Sequence, residues 1–361
     1  MCFRKEGRVF TPLLRFSRLL MRRFSGIFRN HKKFFLHKNG VIHSFHRFRQ
    51  ADTAFFFFFV SYSVKKVEKV LPECYCTLIG TDFHKIKNNP GGIIMAKIHP
   101  TAIVSPDAKL ADSVEVGPYT IIEEDVTIGA GTVLLGQCRI GAHTTIGENN
   151  VVYQLASIGT DPQDYAYDPT KLSYTRIGSN NRFREGVTVN RGTKEGTETV
   201  IGDGCFLMAN AHVGHNCKVG NNVIMVVNAC LGGYSQIGDK VLLSGQTAVH
   251  QFCRVGRMAV LSGVSAISMD LPPFMIAIGR NEGIHGFNIV GMRRNGFSKE
   301  TIRAIKDVYD ICFRQHLSMS NALKKVREEV PLFPEVQEFI DFVESSERGV
   351  LPGAYTRPVA E

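Results

Sequence analysis

The feature that most restricts what this chain can fold into is a six-residue repeat. From Met95 onward an aliphatic residue returns at every sixth position: Ile98, Val104, Leu110, Val116, Ile122, Ile128, Leu134, Ile140, Ile146, Val152 and Ile158. With such residues at about a quarter of positions, an unbroken run of this length has chance odds on the order of one in a million. The series resumes as Ile177, Phe183 and Val189. It then runs from Ile201 through Leu207, Val213, Val219, Met225, Leu231, Ile237, Leu243, Val249, Val255 and Leu261 to Ile267. A period of six fits neither a helix nor a two-faced strand. It fits a coil of short strands joined by tight corners, with one aliphatic side chain per hexad pointing inward. Stacked coils bury those side chains in one column, and each coil edge finds its backbone partners in the next coil.

Two stretches break the rhythm. Thr160 to Thr175 shifts the phase by one, and Arg191 to Thr199 passes through Glu195 where an aliphatic residue is due. Insertions in a solenoid project as loops from one face, and such loops commonly build binding sites. The period ends at Leu271-Pro272-Pro273, and helical spacing follows in Ile302, Ile305, Val308, Tyr309 and Cys312 behind Ser298, an expected N-cap. Two shorter helices are expected near residues 320–330 and 335–347, and this helical part is expected to cap the solenoid. The expected domains are 1–94, 95–273 and 274–361.

Charge separates the first of these from the rest. The chain carries a net +10, yet residues 1–94 hold 18 Lys and Arg against 5 Asp and Glu, leaving the remainder at −3. The larger part therefore has no bulk attraction to polyanions, and no nucleic-acid partner is expected. Fifteen of the 25 phenylalanines also lie in residues 1–94. Three readings of this segment compete: an Arg-rich organellar presequence, a basic arm that touches membranes or RNA, or an over-extended start. The third is favoured, because codons for Pro90-Gly91-Gly92-Ile93-Ile94-Met95 can contain a purine-rich ribosome-binding sequence just before the Met95 codon. No segment approaches the roughly 18–20 apolar residues of a membrane span. Nine scattered cysteines fit a reducing cytoplasm with free thiols rather than a disulfide framework.

The hexads contain one dense polar island, Asn210-Ala211-His212-Val213-Gly214-His215-Asn216. With Val213 pointing in, His212 points out, and His215 lies near a corner. Two such histidines could be surface residues, a base with its helper, or a metal pair. A metal site needs further ligands, and only His250 is nearby in the pattern, so no metal and no cofactor are expected. A histidine with a pKa near 6.5 suits proton abstraction from a sugar hydroxyl.

Together with this island, Thr247-Ala248-Val249-His250-Gln251-Phe252-Cys253 and Gly286-Phe287-Asn288-Ile289, followed by Arg293-Arg294-Asn295-Gly296-Phe297, resemble the UDP-N-acetylglucosamine acyltransferase family. That family catalyses the first committed acylation of lipid A synthesis. The similarity runs in order from Ile98 to Gly349 and includes Ala156 to Gly159, Pro162-Gln163-Asp164 and Arg184-Glu185. The fold class expected is then mainly β: a left-handed parallel β-helix of hexapeptide repeats followed by a small C-terminal α-helical domain. The resemblance implies that His215 is the general base and that the Gly233 backbone N–H steadies the oxyanion. It implies that Asp164 and His212 hold the sugar, and that His250 and Gln251 line the acyl and nucleotide contacts. Asn288 and Arg294 would hold the diphosphate-linked end, with Arg293 adding charge, and Gly263 would leave room at the end of an acyl channel. The implied partners are acyl carrier protein, UDP-N-acetylglucosamine and two further copies of the chain in a homotrimer. Four positions depart from the family's frequent residues: Ala166 for Lys, Tyr234 for His, Val290 for Glu and Asn216 for Asp. They leave open a 3-amino sugar acceptor, which would give an amide. Rival readings are a later N-acyltransferase, a zinc β-helix hydratase and a purely structural β-helix.

Overall fold

The computed structural model describes residues 96–280 and 282–354, within the second of two units into which the chain divides, residues 90–361. The expected 1–94 segment and the Met95 boundary lie outside the described residues. Each hexad forms a strand of two to four residues, and the strands stack into three parallel sheets that make the faces of a left-handed β-helix. The first sheet has eleven strands, starting at Lys97–Ile98; the second has nine, from Ile103–Val104 to Ala266–Ile267; the third has eight, from Lys109–Leu110 to Arg254–Val255. Equivalent residues of neighbouring coils lie 18 positions apart, as Gly131 N–H on Ser113 Oγ illustrates. Most hexad aliphatics from Val116 to Ile267 are fully or almost fully buried in a single column, whereas Ile98, in the first coil, stays 45% exposed because no described coil lies beneath it.

The corners place a backbone cost at one other position of the repeat. At most corners from Val116 on, three residues after the inward aliphatic, the backbone turns through positive φ: Tyr119, Asp125, Gly131, Gln137, His143, Asn149 and Leu155 in the early coils, and Asn210, Asn216, Asn222, Asn228 and Tyr234 later. A left-handed residue other than Gly costs about 1–2 kcal/mol, least for Asn and Asp, whose short side chains bond locally. The run of Asn at these corners follows from that cost.

Both breaks in the rhythm are insertions at the same kind of corner, between the second and third sheets, in successive coils. The coil carrying the first spans 31 positions, from Asn150 to Asn181, and the next spans 24, from Asn181 to Cys205. The extra residues form loops over 161–173 and 191–197. These loops bind each other: Gly196 N–H donates to the Leu172 carbonyl at 2.8 Å, and Leu172 N–H donates to Glu195 Oε2 at 3.2 Å.

The solenoid runs further than the sequence pattern indicates. Past Pro273 the chain adds Met275–Ile278 to the first sheet in parallel and then Gly283–Phe287 antiparallel to it. The helices therefore begin at residue 289 rather than at 274: α1 (Ile289–Arg294), α2 (Lys299–Arg314), α3 (Met319–Glu329) and α4 (Pro334–Glu344). Ser298 caps α2, its Oγ accepting from Thr301 N–H at 3.0 Å. Two arginines fasten the last helix to the coils: Arg257 pairs with Glu338 at 2.6 Å, and Arg254, itself paired with the buried coil residue Asp270 at 2.9 Å, donates to the Phe342 carbonyl at 2.8 Å. No helix among the described residues is long and apolar enough to cross a membrane. The six described cysteines are free.

Candidate active site

His212 and His215 belong to the coil that follows the second inserted loop. His212 sits on a strand of the second sheet and points outward, because its neighbour Val213 takes the inward position. Its Nδ1 lies 2.7 Å from Thr188 Oγ1 one coil below. Burial lowers its pKa, and repulsion from His215 adds to the effect, so the ring is held neutral at pH 7.

His215 stands at the corner itself, with its side chain 14% exposed. Nδ1 lies 3.0 Å from Asn216 Oδ1, and Nε2 faces Asp164 Oδ2 at 3.8 Å. That second distance exceeds a hydrogen bond. Asp164 comes from the first inserted loop, where its other carboxylate oxygen accepts from Ala166 N–H at 2.9 Å. The ring of Tyr234, one coil above, meets His215 edge-on at 5.4 Å and stacks on Phe252 at 5.0 Å. Gly233 must be glycine: a Cβ there would come within 2.4–2.5 Å of His215 Cε1 and Nε2. Gly233 is buried, and its N–H has no acceptor among the described residues. A histidine with one uncommitted nitrogen and an unused backbone donor therefore lie side by side, groups of the kind that proton abstraction and oxyanion stabilisation use. His250 and Gln251 continue the same corner one coil above Gly233 and are exposed.

The fold agrees with what known proteins show. The model of the UDP-N-acetylglucosamine O-acyltransferase second domain matches residues 270–351, and that of the bacterial transferase hexapeptide repeats matches 119–154 and 198–233. The acyl-[acyl-carrier-protein]–UDP-N-acetylglucosamine O-acyltransferase of Trichlorobacter lovleyi is 53% identical over 260 residues, covering 71% of this chain and 99% of the relative. The enzyme of the same name from Thermodesulfovibrio yellowstonii is 42% identical over 259 residues, with the same two coverages. The chain belongs to the acyl-[acyl-carrier-protein]–UDP-N-acetylglucosamine O-acyltransferase family. Among solved structures, the acyltransferase of Moraxella catarrhalis superposes with a TM-score of 0.67 at 40% identity, covering 70% of this chain and 99% of its own. That of Francisella novicida gives 0.67 at 35% identity, covering 73% and 99%.

Not all residues that the family resemblance singles out meet in one chain. Asp164, His212, His215, Gly233, His250 and Gln251 share the corner between the second and third sheets. Asn288, Arg293 and Arg294 lie beside the corner between the third and first sheets. There the Asn288 side chain caps α1, accepting from Gly291 N–H at 2.8 Å, and donates to the Met258 carbonyl at 2.8 Å. Both arginines are exposed. Gly263 is at the remaining corner, between the first and second sheets, where the nearest atom a Cβ would meet is the Gly245 carbonyl oxygen at 3.6 Å. A groove of about 860 Å³ runs along the third-sheet side, lined by Asn216, Tyr234, Phe252, Lys218, Arg254 and Arg348 among others. His212 and His215 do not line it, although Asn216 and Tyr234, which both meet His215, do. Among the described residues no three His, Cys, Asp or Glu converge as metal ligands.

The structure also brings in residues the sequence does not single out. Arg191, from the second loop, binds Asp161 at 2.5 Å and the Tyr167 hydroxyl at 2.6 Å, pinning the loop that carries Asp164. Thr193 is 8% exposed and reaches Asn216. The one signal for them was the broken hexad rhythm at 191–199.

Proposed function

We propose that the chain transfers an (R)-3-hydroxyacyl group from acyl carrier protein to the 3-hydroxyl of UDP-N-acetylglucosamine, in the cytoplasm, as the opening step of lipid A biosynthesis. The observation that carries this reading is the His215 ring, with Nδ1 on the Asn216 oxygen, Nε2 open toward Asp164, and the Gly233 N–H unused beside it. His215 Nε2 takes the proton of the sugar hydroxyl as its oxygen attacks the thioester carbonyl. The Gly233 N–H donates to the oxyanion that forms. Collapse of the tetrahedral adduct breaks the carbon–sulfur bond, and the departing thiolate takes the proton from the His215 imidazolium. Asp164 and His212 hold the sugar, and His250 and Gln251 extend the contact surface along the same corner.

Asn288, Arg293, Arg294 and Gly263 serve this reaction only if a neighbouring copy carries them to the His215 corner. A homotrimer with the site at the subunit boundary supplies that arrangement. Arg294 then holds the diphosphate by charge-assisted hydrogen bonds, and Gly263 leaves room for the far end of the acyl chain.

The test is the His215→Ala variant, with products analysed by mass spectrometry from UDP-N-acetylglucosamine and a series of hydroxyacyl carrier proteins. Turnover falls roughly 100- to 10,000-fold with little change in substrate affinity. Near-normal turnover at saturating substrate sinks the assignment. A product resistant to mild base, as an amide is and an ester is not, shifts the acceptor to the 3-amino sugar.

A further inference from the structure

Thr193 has no part in the reaction as described, yet it is buried in the site and spends both of its donors on one atom. Its backbone N–H lies 3.1 Å and its hydroxyl 2.9 Å from Asn216 Oδ1. The same oxygen is 3.0 Å from His215 Nδ1. An amide has one end that accepts and one end that only donates. A backbone N–H can only donate, so the end of Asn216 that meets Thr193 is its oxygen, and the Nδ1 that meets the same oxygen must carry its hydrogen. Turned over, the amide would offer its NH2 to Nδ1, the ring proton would move to Nε2, and the nitrogen facing Asp164 would lose its lone pair. A carboxylate at this position would have no wrong end and would need no such restraint.

We infer that Thr193 is a positioning residue whose hydroxyl, added to a backbone N–H too weak to do so alone, acts through Asn216 to hold His215 in the tautomer with hydrogen on Nδ1 and a free lone pair on Nε2. The inference rests on the reading of His215 as the base. The network closes on the ring from a second side. Thr193 gives its only hydroxyl hydrogen to Asn216, so the Tyr234 hydroxyl, 3.2 Å away, donates to Thr193 Oγ1, while the Tyr234 ring packs edge-on against His215. The ionisable groups facing His215 are then Asp164 from the first loop, His212 from the same coil and Tyr234 from the next. The second inserted loop has a purpose in this scheme: it brings a buried hydroxyl and a backbone N–H to a corner that the regular hexads would leave open.

The experiment uses the full chain labelled with 15N-histidine, reading the His215 tautomer by NMR alongside kcat and the KM for the nucleotide sugar. His215→Ala identifies the signal. Thr193→Val lowers kcat roughly tenfold at unchanged KM and shifts His215 toward the Nε2–H form, and Thr193→Ser restores both. Should Thr193→Val not fold, Thr193→Ala removes the hydroxyl without placing a methyl against the Asn216 oxygen and gives the same two readouts. In the Asn216→Asp background, where either oxygen can face the ring, Thr193→Val adds less than about a twofold loss. Two results overturn the inference: a Thr193→Val or Thr193→Ala protein with the Nδ1–H tautomer and normal kcat, or an equal loss in both backgrounds. Failure of the base reading is separate, since it appears as retained turnover in His215→Ala whatever Thr193 does.

Discussion

At the scale of single residues, the two histidines of the polar island differ in kind because their surroundings differ. His215 keeps one nitrogen committed to Asn216 and the other open, the arrangement of a base. His212 is held neutral by burial, with His215 as a second cause. This depressed pKa makes stability depend on pH in a definite direction. As pH falls through about 6.5, the unfolded chain protonates His212 while the folded chain does not, so the contribution, complete above that pH, is lost until the folded ring also titrates. A His212→Gln variant, which can still bond Thr188, loses less thermal stability than the parent between pH 7 and pH 5. An unchanged pH slope in the variant removes His212 from the account. The buried thiols give a second check. Burial pushes Cys205 and Cys253 up to about 11, and Cys217 and Cys312 up to about 12, so all four stay protonated at neutral pH. Iodoacetamide should leave these four unmodified in the folded protein and label them after denaturation.

At the scale of elements, the coils set a rigid frame and the inserted loops decorate one corner of it. The frame carries a local cost wherever a corner residue other than Gly or Asn takes positive φ. Gln137 is such a residue, exposed and with φ of 51°. Gln137→Asn is expected to stabilise by about 0.5–1 kcal/mol, and a lowered melting temperature would contradict the corner account. The loops depend on Arg191. Its side chain is 13% exposed and holds Asp161 and Tyr167, so Arg191→Leu removes the charge that ties both to the second loop and releases the loop that presents Asp164. The expected result is about a tenfold rise in KM for the nucleotide sugar and faster proteolysis within 161–173, with the solenoid still folded. If KM and cleavage stay at parent levels, the loop is held by something other than Arg191.

At the scale of the whole molecule, the three groups of residues that the family resemblance singles out occupy three different corners of one solenoid, and no bending of a close-packed β-helix can unite them. Assembly can. Sedimentation of the full chain should give a trimer, and a stable, fully active monomer would break the proposed link between the Arg294, Gly263 and His215 corners. Gly263→Met has room for its Cβ. It should fold and trimerise while accepting only shorter acyl chains. A chain of residues 95–361 should fold, trimerise and keep full activity if residues 1–94 form a separate part as their composition suggests. Loss of the trimer on that deletion would make the segment structural.

The sequence by itself determined the β-helix, because a strict period of six admits few other ways of burying one aliphatic side chain per turn. It also determined the helical end, through Ser298 and the spacing from Ile302 to Cys312. The polar island was legible for the same reason: His212 and His215 interrupt a pattern whose inward positions are known. The end of the solenoid was not legible, because the Met275–Ile278 strand and its antiparallel partner leave the hexad register while keeping backbone pairing, and pairing carries no residue period. Only the tertiary structure decided that both insertions leave the same corner, that Arg191 ties one to the other, and that Thr193 meets Asn216 beside His215. Those contacts join residues 23 to 30 positions apart through the stacking of coils and through hydrogen bonds at fixed angles. Such bonds depend on where side chains arrive in space, and the linear order of residues does not encode that arrival.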